Sequence, residues 1–212
     1  MMPLGDDNST RKTIPIITYL FIVLNILFFL AELSGGEDFI KQWAFVPSRF
    51  TANPGVDSIT ILTSMFMHAG FMHLASNMVY LWIFGDNGED RLGKIKYIFF
   101  YLISGVAATF GQYLFHPDSS IPNLGASGAI AGILGAYILL FPGQKVRVLL
   151  GQSIVSMPAL IVIGFWIFLQ LVSGAGSLSA AKGEGGVAYM AHIGGFVAGL
   201  GLASIFRATE KN

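Results

Sequence analysis

The chain has 212 residues, of which 11% are charged and 54% hydrophobic, with 18 Phe, 26 Gly and no Cys. Ordinary globular proteins carry roughly 25% charged residues, so a soluble domain of this size would lack the polar surface it needs. Twelve basic and twelve acidic residues cancel, so no bulk charge recruits nucleic acid. The missing cysteines exclude disulfides, thiolate metal sites and a Cys nucleophile. The apolar, glycine-rich composition predicts an all-α, multi-pass membrane protein, in which glycine lets helices approach closely.

Residues 1–12 are polar and are expected to form a short cytoplasmic N-terminus. Beyond them six windows hold no Asp, Glu, Lys or Arg: 13–31, 58–85, 97–117, 119–144, 148–181 and 185–206. Each is long enough for the ~20 residues that cross a hydrocarbon core of about 30 Å. Spans are expected near 14–33, 61–84, 96–115, 126–141, 154–172 and 187–206. Residues 13–207 then make one six-helix membrane domain, and 208–212 a cytoplasmic tail. With five spans behind it, the first is an anchor and not a cleaved signal peptide. The first connection, 34–60, carries Trp43, Phe45, Pro47, Phe50 and Pro54 and is expected to lie in the membrane interface. The last, 173–186, reads SGAGSLSAAKGEGG and is expected to be flexible.

Arg11, Lys12, Arg91, Lys94, Lys96, Lys145, Arg147, Arg207 and Lys211 fall on one side of this topology. Only Lys41, Arg49 and Lys182 fall on the other. The excess of basic residues places both termini in the cytoplasm.

Polar groups inside spans are costly and point to function. Here they are His68, His73 and Asn77 in span two, Ser127 in span four and His192 in span six. Asn25, Gln112 and Gln170 also occur, and for these a helix back-bond or an interhelical hydrogen bond is the simpler explanation. Ser127 lies 14 residues before Phe141, where Pro142-Gly143 ends span four, and His192 lies 14 residues before Phe206. At 1.5 Å per residue both sit about 21 Å above the cytoplasmic end and about 9 Å below the outer edge. A Ser and a His at one depth on separate helices are placed to form a nucleophile–base pair.

Span four is only about 16 residues, roughly 24 Å, so Ser127 falls in its first turn. There the free N–H groups and the positive helix end suit a developing oxyanion. The alternatives are that Ser127 is a packing residue or an N-cap, and that His192 is a satisfied core histidine. Gly128 and Gly132, and Gly195 and Gly199, form small-xxx-small pairs that bring spans four and six together. His73 and Asn77 share a helix face and offer side-chain donors to an oxyanion. A metal site on His68, His73 and His192 is the rival reading, weakened because no Asp, Glu or Cys accompanies them. No carboxylate lies in any window, so a serine hydrolase here uses a Ser–His dyad.

In chain order the sequence presents His73-xxx-Asn77, Gly85 with Glu89-Asp90-Arg91-Leu92-Gly93, Gly125-Ala126-Ser127-Gly128, and Ala191-His192-Ile193-Gly194-Gly195-Phe196 with Gly199. Together these resemble the rhomboid family of intramembrane serine proteases, over residues 14–206. The resemblance implies a six-helix core in which Ser127 is the nucleophile and His192 the general base. It makes His73, Asn77 and the Ser127 N–H the oxyanion hole. It also implies a protein of a bacterial cytoplasmic (inner) membrane, embedded in the lipid bilayer and cleaving transmembrane protein substrates. No cofactor, metal or nucleic-acid partner is implied. A catalytically silent relative that binds membrane helices is one alternative; a transporter or channel is the other, disfavoured because the polar groups cluster at one depth and short or broken spans do not occur in paired halves.

Two positions depart from the family pattern. Ala131 stands where some relatives place a Tyr, one turn after the Ser, to stack on the catalytic His. Trp43 is followed by Ala44, where some first loops carry Trp-Arg. His192 is then expected to be oriented by helix packing or by another aromatic. Span five carries none of the candidate groups. Its Phe165, Trp166 and Phe168 either fill a lateral opening toward lipid or are ordinary lipid-facing bulk, and the segment as a whole, leading into 173–186, is the candidate gate.

Overall fold

The computed structural model describes residues 2–9, 11–179 and 186–210. Its helices are α1 (Ile16–Trp43), α2 (Pro47–Ala52), α3 (Pro54–Thr63), α4 (Phe71–Leu92), α5 (Lys94–Phe115), α6 (Ser127–Leu140), α7 (Ala159–Ser179) and α8 (Tyr189–Glu210). A small antiparallel sheet joins β1 (Met2–Asp6), β2 (Lys145–Leu150) and β3 (Ser153–Pro158) in that order. Among the described residues, α1, α5, α7 and α8 are each long and apolar enough to cross a membrane. The bent pair Pro54–Phe66 and Phe71–Leu92 adds a fifth when taken as one span, and α6 is a shorter apolar helix. The class is all-α and polytopic, with the sheet as an addition that the composition did not announce.

Span two differs from its expected 61–84. A 3-10 turn, Ser64–Phe66, follows α3, and the axis then bends by 76° before α4 begins. Gly70 stands at the N-cap of α4, which continues to Leu92. Gly93 ends it at φ 77°, a conformation open to glycine. Glu89-Asp90-Arg91 therefore belong to the last turn of α4. The Glu89 carboxylate accepts the N–H groups of Ile17 and Thr18 at 3.0 and 2.7 Å, and the Thr18 hydroxyl at 2.9 Å. These are first-turn donors of α1, which has no side-chain cap of its own.

The N-terminal residues are not a free tail. β1 runs antiparallel to β2, with Met2 opposite Leu149 and Asp6 opposite Val146. The Asp6 carboxylate accepts the Tyr137 hydroxyl of α6 at 2.6 Å and the Asn87 amide of α4 at 2.5 Å. Arg11 pairs with Asp86 at 2.6 Å. In β2, Val146 and Val148 are buried while Lys145 and Arg147 are exposed, the two-residue alternation of a strand with one covered face. β3 takes up the start of the expected span five, which begins at Ala159 and not at 154.

The 34–60 connection is folded. α1 continues to Trp43 past a kink at Gly36, φ 59° and ψ −147°. Arg49 pairs with Asp57 at 2.7 Å and donates to the carbonyls of Lys41 and Ala44. Phe45 is fully buried against Phe50 and against Tyr113 of α5. The Asn123 N–H donates to the Phe45 carbonyl at 2.7 Å, and the Gly125 N–H to the Ser64 carbonyl at 2.9 Å. These two bonds hold the segment that leads into α6. At the other long connection α7 runs to Ser179, so 173–179 are helical and not a loop. The rest of that expected flexible segment, 180–185, lies outside the described residues.

The most extensive helix contact is α6 on α8. A Cβ built on Gly195 would overlap the Gly128 carbonyl oxygen, and one on Gly199 the Gly132 carbonyl oxygen. Two backbones touch where side chains would normally intervene.

Candidate active site

Ser127 is the first residue of α6, with Ala126 at the N-cap and no side-chain cap. The hydroxyl is therefore free of the capping role. His192 lies in the first turn of α8, and the glycine-lined contact sets the starts of the two helices side by side. His192 Nε2 is 2.7 Å from Ser127 Oγ, and His192 Nδ1 is 2.7 Å from Gln170 Oε1 of α7. The Trp166 ring lies 5.6 Å from the His192 ring, tilted by 38°. The imidazole, 8% exposed, is thus engaged at both nitrogens and on one face.

His73 of α4 approaches from the other side. Gly125 has φ 133°, in the region that favours glycine. A Cβ there would lie 2.8 Å from His73 Cε1, 3.0 Å from His73 Nε2 and 3.6 Å from Ser127 Oγ. The His73 edge and the Ser127 hydroxyl therefore border one small space, which only glycine leaves open. His73 Nδ1 accepts the Ala69 N–H at 3.4 Å. In the neutral ring this leaves the proton on Nε2, the nitrogen that faces Gly125. Asn77, one turn along α4, is buried, and its Nδ2 has no acceptor among the described residues. An amide donor left unpaired in such a place invites a ligand oxygen. A cavity of about 20 Å³ beside Ser127 is lined by Ser64, Thr109, Asn123 and Gly125, with room for one water.

His68 stands apart from this group. Its ring meets His73 edge-on at 5.1 Å, and its backbone N–H donates to the Glu32 carboxylate at 3.0 Å. Its main chain bonds at the bend before α4, while both ring nitrogens are buried without hydrogen-bond partners among the described residues. Among the described residues no three His, Cys, Asp or Glu side chains converge in a way that could hold a metal ion.

Two contacts were not anticipated. Gln170 bonds across helices, as a polar residue in a span is expected to, but its partner is His192. Trp166 does not fill an opening toward lipid; it packs inward, while Phe165 and Phe168 are exposed. The available signal was their spacing, since residues four apart share a helix face.

Comparison with known proteins agrees with this architecture. A family model described as the Rhomboid domain matches residues 57–209. The chain is 32% identical to "Rhomboid protease GluP" of Bacillus subtilis (strain 168), over 80% of this chain and 33% of the relative. It is 27% identical to "Rhomboid protein 1, mitochondrial" of Saccharomyces cerevisiae, over 87% of this chain and 51% of the relative. It is 29% identical to "Presenilin-associated rhomboid-like protein A, mitochondrial" of Danio rerio, over 65% of this chain and 39% of the relative. The chain thus spans between a third and about half of the length of these relatives. With the domain match running from α3 to the last turn of α8, and with apolar helices throughout, this chain belongs to the rhomboid family of integral membrane proteins.

Proposed function

We propose that this protein is a serine endopeptidase that acts within the bilayer on transmembrane proteins. The observation that carries this reading is the 2.7 Å contact between His192 Nε2 and Ser127 Oγ, within reach for a nucleophile and its base. Ser127 attacks a peptide carbonyl as His192 takes the hydroxyl proton. The Ser127 N–H, His73 Nε2–H and Asn77 amide receive the oxyanion. His192 then hands its proton to the leaving amine, and the C–N bond breaks to leave an acyl-enzyme. A water, deprotonated by His192, adds to the acyl carbon and releases Ser127. The cavity beside Ser127 is where such a water fits.

The substrate follows from the site's depth. A transmembrane helix protects its carbonyls by internal hydrogen bonds, so cleavage favours a stretch loosened by Gly or Pro. The tight space at Gly125 favours a small residue before the cut. The same reading sets six spans in a bacterial inner membrane with both termini cytoplasmic. The bias of basic residues supports this orientation. The sheet supports an even number of crossings between β1 and β2, because strands that hydrogen-bond lie on one side of the membrane.

An active-site-directed fluorophosphonate is expected to label the protein at Ser127 and to leave Ser127→Ala unlabelled. A folded protein that takes no label would leave the silent helix-binding relative as the better reading. Asn77→Ala is expected to lower kcat by about 10²-fold, the worth of one oxyanion donor, since the Ser127 N–H and His73 remain. Unchanged turnover would remove Asn77 from the site.

A further inference from the structure

α7 was expected to carry no part of the site, yet one stripe of it faces α8. Ile163 is buried, Trp166 and Gln170 follow at helical spacing, and Gly174 continues the line. A Cβ on Gly174 would lie 2.8 Å from Met190 Cε, 3.3 Å from Tyr189 Cβ and 3.4 Å from Ile193 Cδ1. The small residue lets α7 come close enough for the Gln170 amide, one turn away, to reach His192 Nδ1 at 2.7 Å.

We infer that Gln170 is a positioning residue: its amide oxygen holds the proton on His192 Nδ1, while Trp166 fixes the plane of the ring. The inference rests on the proposed Ser–His chemistry. His192 accepts the Ser127 proton only if the lone pair on Nε2 is free, so the neutral ring must carry its proton on Nδ1. That N–H needs an acceptor inside the membrane. A carboxylate there is costly to bury, and the partner that His192 Nδ1 has is the Gln170 amide oxygen. A neutral amide oxygen meets the need. When His192 becomes an imidazolium, the same bond becomes charge-assisted and strengthens. Gln170 thus favours the protonated intermediate without itself taking a proton. Trp166 holds the ring from α7, in the role for which Ala131 on α6, with only a methyl group, has no aromatic ring.

The test uses the full chain in lipid vesicles, with three variants. Gln170→Met keeps side-chain length but removes the acceptor. Gln170→Asn keeps the amide but withdraws it by one methylene. Gln170→Glu keeps an acceptor oxygen in place. Gln170→Met is expected to lower kcat and the rate of fluorophosphonate labelling by about 10–100-fold, the usual cost of losing such an orienting partner. KM and the melting temperature should change little. Gln170→Asn should fall in the same direction, and Gln170→Glu should restore much of the loss. Nitrogen-15 spectra, with the His192 signals assigned by difference from His192→Ala, should show Nδ1 protonated in the parent and a tautomer mixture in Gln170→Met. Parent-like rates in both Gln170→Met and Gln170→Asn would overturn the inference, as would a proton on Nε2 in the parent. The spectra decide the tautomer even if the parent neither labels nor cleaves, so failure of the proposed function is distinguishable from failure of this inference.

Discussion

Ser127→Ala and His192→Ala should each abolish cleavage of a transmembrane substrate while leaving the melting temperature near that of the parent. The two side chains meet at 2.7 Å, and each is useless in the proposed chemistry without the other. Removing either member of such a unit costs about as much as removing both, with losses on the order of 10⁶ in kcat in a comparable serine protease. The double variant should therefore be little worse than either single one. Neither change disturbs the glycine contact beneath, so folding should persist. Cleavage retained by purified Ser127→Ala would end the serine-protease reading, whatever the other residues do.

The largest effect on stability should come from Gly199. A Cβ there would overlap the carbonyl oxygen of Gly132, a backbone atom that no rotamer change can move aside. Gly199→Ala forces α6 and α8 apart. The cost should reach about 3 kcal/mol or more, the upper end for over-packed cores. Gly199→Val should be worse. The same displacement separates Ser127 from His192, so fluorophosphonate labelling should fall although both residues are intact. Gly201 is the control on the same helix, because a Cβ there meets nothing within 4 Å. Gly201→Ala should be neutral or slightly stabilising, since it relieves the entropic cost of glycine in a helix. Equal melting temperatures for Gly199→Ala and the parent would show that the helices do not touch there.

Distances between charges made the spans legible where a helix is bounded by charge or by Pro-Gly, as at α5, α6 and α8. They failed where an apolar segment is not a helix. The strand β3 sits inside the charge-free window 148–181, so charge spacing alone reads it as part of span five; the period-two alternation that marks a strand lies in β2, at Lys145-Val146-Arg147-Val148. β1 carries no such pattern, because its place depends on a partner far along the chain. The bend before α4 is hidden for another reason: Met67-His68-Ala69-Gly70 is apolar enough to pass as helix, and the partner of the His68 N–H at the bend, the Glu32 carboxylate, lies on a different helix. The motif residues around Ser127, His192, His73 and Asn77 could be listed from the chain. Gln170 could be seen but not assigned, because a polar residue on one helix does not reveal which neighbour its face meets. That depends on the rotation of α7 against α8, which Gly174 sets at close range.

The sheet has a consequence for how the protein is made. β1 leaves the ribosome before α1, yet Met2 pairs with Leu149. At about 5–20 residues per second, β1 waits for its partner while the intervening helices enter the membrane. The hairpin of β2 and β3 closes over two residues, whereas β1 pairs across about 140 residues of intervening chain. Its arrival brings Asp6 to both Asn87 and Tyr137, tying together the helices that carry His73 and Ser127. A chain threaded with one crossing too few or too many strands β1 on the wrong side of the bilayer and leaves Tyr137 without that bond. Closure of the sheet thus requires that β1 and β2 come to the same side of the helices.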